Sequence, residues 1–313
     1  MSRTRYVAGR ILQVIPILFG VSIVVFLLVQ LVPGDPARTL LGPTARPEAL
    51  AALRTELGLE RPLVAQYVDF AGGVVKGDPG NSLTYNQPLT EMVASRWAPT
   101  IWLIVYSAVL VILLTLPLAL LAARRPGGWA DGVVRSVSLV SLGMPSFWVG
   151  MLLILFLGTR LKWFPVSGYG EGFTGHLYSL FLPALTVAIS MAPMTIRSLR
   201  SSLIDVFDSD YLVAVRAKGL SEPRVVLVYA LRVAILPAVT VLGVNLGWLI
   251  GNTVVIEQIF VIPGLGSMML EAITNRDFPV VQYLALVFAA LVVAVSLLTA
   301  LARSSLDPRI QLS

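Results

Sequence analysis

The sequence predicts an all-α polytopic membrane protein with six transmembrane helices. Three observations lead there. Of 313 residues, 57% are hydrophobic and only 13% are charged, against roughly a quarter charged in an ordinary soluble domain. The mean hydropathy is +0.84. Apolar runs of about twenty residues, the length that crosses a bilayer as a helix, fall at 11–31, 99–122, 133–157, 177–196, 236–256 and 280–301.

Six spans put both termini on one side, and the basic residues choose which. Fourteen of the 23 Lys and Arg fall in the pieces expected to face the cytoplasm: 3, 5, 10, 124, 125, 135, 197, 200, 216, 218, 224, 232, 303 and 309. Of the other nine, six lie in the long segment after the first span, where the positive-inside rule has little weight. The short outer loops hold only Arg160, Lys162 and Arg276. Both termini are therefore expected to be cytoplasmic.

Residues 1–31 form an N-terminal segment and first span. Arg3, Arg5 and Arg10 precede a run that is apolar apart from Gln13, Ser22 and Gln30. A cleaved signal peptide is the competing reading. The run is long for one and no small-residue cleavage motif follows, so the span is read as retained. Residues 32–97 are polar and mixed, an expected extracytoplasmic cap. Leu50, Leu53 and Leu57 share a helical face that stops at Gly58, and Val64, Tyr67, Val68 and Val75 mark a second helix. G-D-P-G-N at 77–81 is a turn. Residues 98–302 hold the other five spans. Prolines 117, 145, 183 and 193 fall in or near them, which is tolerated where neighbours satisfy the freed carbonyls. Residues 303–313 are a cytoplasmic tail. No internal repeat is evident.

Within that core, 200–236 is a cytoplasmic loop, and 209–237 reads as two helices broken at one glycine. Asp208 or Ser209 can cap the first. Gly219 fits the position past a helix end, where positive φ is needed. Ser221 can cap the second, which opens with Glu222 and Pro223 and runs towards Pro237. Two readings stay open: a rigid part that a partner grips, and an amphipathic connector lying in the membrane interface.

Much chemistry is excluded. There is no cysteine and one histidine, His176, read as an interfacial residue. No G-x-x-x-x-G-K-[S/T] or G-x-S-x-G occurs, and H-E-x-x-H is impossible. Gly264-Leu265-Gly266 lacks the rest of a dinucleotide fingerprint. No catalytic or metal-binding residue is assigned. Glu257, at the edge of the fifth span, is the nearest thing to an intramembrane acid, and this shortage argues against an ion-coupled carrier. Energy for transport would then enter from another protein. The net charge of +6 fits cytoplasmic-side arginine near lipid, with no nucleic acid implied. Asn245 and Asn252 lie seven apart on one face of the fifth span. With Thr253 and Glu257 they are candidates for a pathway or gate. The alternatives are helix-packing contacts and, for Glu257, an acceptor for Asn275 and Arg276.

The loop resembles the cytoplasmic coupling loop, the E-A-A-x-x-x-G region, of permease subunits of bacterial ABC importers. Gly219 takes the glycine position, and Val213, Ala214 and Val215 the three before it. Valine stands at 213 where a charge is usual. The wider segment, Asp210-Tyr211, Arg216-Ala217-Lys218-Gly219-Leu220-Ser221, Ala230-Leu231-Arg232 and Leu236-Pro237, resembles the dipeptide and oligopeptide importers. So do P-G-D-P at 33–36, L-G-L-E-R-P at 57–62 with Gln66-Tyr67, and G-D-P-G-N-S at 77–82, where leucine is more usual at 79. V-I-E-Q-I-F at 255–260, P-G-L-G at 263–266, N-R-D-F-P-V-V-Q at 275–282 and L-D-P-R-I at 306–310 complete the match. Asn252 replaces a common glycine.

The resemblance covers nearly the whole chain and points to the first of the two permeases in such importers. It implies a non-catalytic subunit that forms the path with a second, homologous permease. Two ATPase subunits bind below, holding ATP and magnesium, and an extracytoplasmic solute-binding protein delivers substrate. This chain would bind no cofactor itself. Asp210, Tyr211, Leu212, Val215, Arg216, Ala217, Lys218, Gly219 and Leu220 would form the ATPase contact. Leu212, Val215 and Leu220 would be its apolar part, and Arg216 and Lys218 would meet partner acids or lipid phosphates. The expected substrate is a dipeptide or oligopeptide. Relatives that take nickel chelates, glutathione or sugars, an ion-coupled carrier, and a non-transport membrane scaffold are the alternatives.

Overall fold

The computed structural model describes residues 3–31, 36–41, 45–56 and 58–306. Most of P-G-D-P, Leu57 and the tail from 307, with its D-P-R-I, lie outside them. The all-α expectation holds: the described residues contain no strand, only an isolated bridge between Asn81 and Pro88. Among the described residues five helices are long and apolar enough to cross a membrane, and one bent pair makes up to six.

In chain order, α1 (Arg3–Leu31) is followed by three short helices, α2 (Pro36–Leu41), α3 (Pro47–Glu56) and α4 (Leu63–Lys76). Next comes α5 (Leu89–Arg124), which starts before the expected 99. Its first turns are amphipathic, with Leu89 buried, so a search for apolar runs misses them.

The expected span 133–157 is not one helix. It divides into α6 (Trp129–Gly143) and α7 (Ser146–Leu153), which ends in a π-helical segment, Ile154–Arg160. The two halves meet at 105°. Pro145 is the cause. Its ring forces Met144 out of the helical region, to φ −91° and ψ 126°, and α7 restarts behind the proline.

After α8 (Gly172–Ser179) comes α9 (Phe181–Phe207), then α10 (Asp210–Ala217). The second helix of the hairpin does not end at Pro237. From α11 (Glu222–Arg224) the chain continues through a π-helical segment, Val225–Ala230, into α12 (Leu231–Ile259), with Pro237 inside it. Hairpin arm and fifth span form one helical run. The chain finishes with α13 (Leu265–Thr274) and α14 (Phe278–Leu306).

The chain divides into two compact units. One comprises Ile101–Ile262 and α14 from Val292 onward. Its centre is α9, which packs against α12, α7 and α6. Ala184, Ala188 and Ala192, four apart and buried, let neighbouring backbones come close. Gly150 sits where a Cβ would lie 3.3 Å from the Phe260 ring, and Gly243 where a Cβ would lie 2.3 Å from the Thr299 side chain. Both glycines are there for close approach.

The other unit comprises the described residues through Thr100 and Pro263–Leu291. Leu89, Leu265, Met268, Ala272, Val280 and Leu284 form its core. Asp277, 1% exposed, accepts hydrogen bonds from the Ser82 hydroxyl and from the Leu83 and Thr84 N–H groups at 3.1 Å each. Thus the G-D-P-G-N-S and N-R-D-F-P motifs are two sides of one buried joint. Arg96 pairs with Glu271 at 2.9 Å, and Tyr67 of α4 packs on Phe19 and Phe26 of α1.

Candidate functional site

The hairpin is built by its backbone. At the end of α9, Asp208 and Ser209 turn the chain, with Ser209 extended at φ −80° and ψ 144°. Ser209 is the N-cap residue of α10, but its hydroxyl donates to the Val206 carbonyl at 2.6 Å and makes no cap bond. Ser221 likewise precedes α11 with no side-chain cap bond. Gly219 takes φ +72°, the left-handed conformation read for it, which a side chain disfavours. Across that glycine the Arg216 guanidinium grips the Glu222 carboxylate with one edge, Nη2 and Nε donating at 3.0 and 3.3 Å. The carboxylate's hydrogen bond pushes the Arg216 pKa further up. Both groups are exposed, so the pair holds the turn's shape and adds about 0–1 kcal/mol.

The apolar residues of α10 point the other way from the expectation. Leu212 is fully buried and Val215 is 5% exposed, both in a cluster with Leu199, Leu203, Val206, Val225 and Ala230. Leu220 packs against the same cluster. They are used to fix α10 to its own unit, because an eight-residue helix must bury a face to be held at all. The outward face carries Asp210, Tyr211, Val213, Ala214, Arg216, Ala217 and Lys218, all exposed. Tyr211 and Val213 are its large apolar groups, at 48% and 59% exposure. Arg216 meets Glu222 of its own chain, and Lys218 points to solvent.

The polar residues of α12 divide between two faces. Asn252 donates to the Trp248 carbonyl at 3.1 Å, and the buried Asn245 amide nitrogen has no hydrogen-bond partner among the described residues. Thr253 and Glu257, one turn apart and both fully buried, lie on another. Thr253 donates to the Ile250 carbonyl at 2.7 Å. Asn275 and Arg276 belong to the other compact unit. Among the described residues no cluster of His, Asp and Glu could hold a metal.

Two features escaped the sequence reading. Asp131, in the first turn of α6, is fully buried and accepts from Nε and Nη2 of Arg200, one edge of the guanidinium, at 2.5 and 2.7 Å, and from the Gly127 N–H at 2.9 Å. An acid two residues inside a predicted basic loop was the available signal. Further along, the Ser141 hydroxyl donates to the Ile189 carbonyl at 2.6 Å. Ile189 is four residues before Pro193, whose missing N–H leaves that carbonyl free. The proline itself was the signal here.

The comparisons with known proteins agree with this architecture. Residues 115–312 match the family described as "Binding-protein-dependent transport system inner membrane component", and residues 3–104 its N-terminal counterpart, "Binding-prot-dependent transport system membrane comp, N-term". The chain is 36% identical over 306 residues to the "Glutathione transport system permease protein GsiC" of Salmonella choleraesuis (strain SC-B67), covering 98% of each chain. The proteins of that name from Salmonella typhi and Escherichia coli (strain K12) are 36% and 35% identical over the same length, again covering 98% of each chain. This membership sets aside the ion-coupled carrier and the scaffold. The chain belongs to the binding-protein-dependent transport system inner membrane components: it is a non-catalytic, integral-membrane permease subunit of the dipeptide/oligopeptide type of ABC importer, a class that works with a second permease, separate ATPases and a binding protein.

Proposed function

We propose that this permease imports short peptides, with glutathione inside that range. The observation that supports it is the full-length similarity to permeases named for glutathione transport, since glutathione is itself a tripeptide. A nickel chelate or a sugar is the alternative substrate. The chain sits in the bacterial cytoplasmic membrane with both termini inside, and α10 with the Gly219 turn docks on the ATPases, which hold ATP and magnesium. Asp210, Tyr211, Val213, Ala217 and Lys218 touch the partner directly. Leu212, Val215, Arg216 and Leu220 position that face, and Gly219 sets its angle. ATP-driven closure of the ATPases turns the path outward, and hydrolysis resets it. Asn245 and Asn252 face the path shared with the second permease. Thr253 and Glu257 brace the outer end of α12. The chain binds no cofactor.

The test is uptake into proteoliposomes holding both permeases and the ATPases, supplied with the binding protein and ATP. Labelled dipeptide, a longer peptide, glutathione, nickel chelate and sugar are offered in turn. ATP-dependent accumulation of a peptide or of glutathione is expected. Accumulation of the chelate or the sugar alone would overturn the reading.

A further inference from the structure

Between α6 and α9 lies a cleft of about 330 Å³ that includes Arg135, Arg197 and Arg200 in its lining. The helices run antiparallel here. Asp131 meets Arg200 at one end, Ser141 meets Ile189 ten residues further on, and the cleft lies between these two contacts. Both ends are thus pinned, and Pro193 lies in the wall between them. The space is built into the helix pair.

Its charge is unbalanced. Arg200 is paired with Asp131 through Nε and Nη2, one edge of its guanidinium. Arg135 and Arg197, one on each helix, are exposed and form no ion pair among the described residues. Asp131 acts on Arg135 only at longer range. One carboxylate against three guanidinium groups leaves two positive charges beside one opening. The rest of the wall is apolar apart from Ser138, and comes from Val134, Leu139, Pro193 and Ile196. Trp129, 85% exposed, starts α6 at the same end, the residue type that marks the boundary between hydrocarbon and headgroups.

We propose that this cleft binds a phosphate group between Arg135 and Arg197. A guanidinium matches a phosphate with paired donors and is weakly hydrated, which suits a half-buried site. The volume is about ten water molecules' worth, enough for a phosphate with a small substituent. The apolar wall and the exposed Trp129 favour a phosphate carried on acyl chains, the headgroup of an anionic phospholipid. A soluble phosphate shares the recognition chemistry. The site is separate from α10 and does not depend on which solute is carried.

The experiment is native mass spectrometry of the purified, delipidated importer complex. It is titrated with phosphatidylglycerol, with phosphatidylcholine, and with inorganic phosphate. An arginine near a membrane surface contributes about fivefold to anionic-lipid affinity. Arg135→Gln is therefore expected to weaken phosphatidylglycerol binding about fivefold, and Arg135→Gln with Arg197→Gln roughly thirtyfold. Lysine at both positions should keep part of the affinity, and Arg303→Gln, on α14, should change nothing. Binding of inorganic phosphate that disappears in the double variant, with no preference among lipids, would support the site with a soluble ligand. Equal affinity for all probes in the wild type and the double variant would overturn the proposal. So would a loss with Arg303→Gln as large as with Arg135→Gln. The single variants keep the test open should the double variant fail to assemble.

Discussion

Helices α9 and α14 are nearly the same length, 27 and 29 residues, yet the most apolar stretch of α9 is 67% buried and that of α14 only 11%. Their hydropathies run the opposite way: α9 is the least apolar of the five long helices and α14 the most. In a soluble protein the most apolar helix would be the most buried. Here the surroundings are apolar too, so hydrophobicity alone draws no helix inward. Instead α9 is held by shape and by polar contacts: small residues at Ala184, Ala188 and Ala192, the Arg200–Asp131 pair, and the Ser141 bond to the carbonyl that Pro193 frees. α14 keeps broad apolar sides of the kind that lipid or a partner subunit covers, and its Thr299 lies close against Gly243 of α12.

The sharpest way to break this contrast is Arg200→Ala. It leaves the Asp131 carboxylate buried without its cation, and a loss of about 3–5 kcal/mol is expected, read as a fall in thermal stability in detergent. Replacing both partners with Asn and Gln should cost much less. A matched pair of leucines comes next. Leu199 on α9 is 1% exposed and Leu298 on α14 is 64% exposed. Leu199→Ala should cost about 1–3 kcal/mol through lost packing, and Leu298→Ala about 0.5 kcal/mol or less. Equal effects in a denaturation series would end the claim that α9 is the structural centre. Gly243→Ala puts a Cβ 2.3 Å from the Thr299 side chain. A cost of about 1–2 kcal/mol is expected, with only partial recovery when Thr299→Ser is added, because serine removes the Cγ2 branch but keeps the Cβ at 2.7 Å. Ser141→Ala is the smallest change, about 0.6 kcal/mol, the average for a helix–helix hydrogen bond in a membrane.

The same contrast explains what was legible in the sequence. Hydropathy located α1, α9, α12 and α14, because a span must be apolar over a fixed length. It missed the start of α5, whose first turns are amphipathic, with Leu89, Met92 and Val93 turned inward and Glu91, Ala94 and Ser95 exposed. It joined α6 to α7 because both are apolar; the effect of Pro145 on Met144 is local and invisible to an averaged window. In the hairpin the backbone was readable and the side chains were not. Gly219 is recognisable because few other residues accept φ +72°. Leu212 and Val215 look the same in sequence whether they face a partner or their own core, and they face their own core. The Asp131–Arg200 pair is a contact across 69 residues, beyond any local pattern.

We propose that ATPase subunits grip this permease on the exposed side of α10. The chain has no cysteine, so a single introduced thiol reports on one position alone. Val213→Cys and Leu212→Cys, neighbours on opposite sides of α10, would be made in the assembled importer and treated with a short thiol-to-amine cross-linker. The expected result is a cross-link from position 213 to an ATPase subunit, its yield changing when ATP is added, and none from position 212. A cross-link from 212 with none from 213, or none to the ATPase from either in an intact complex, would contradict it.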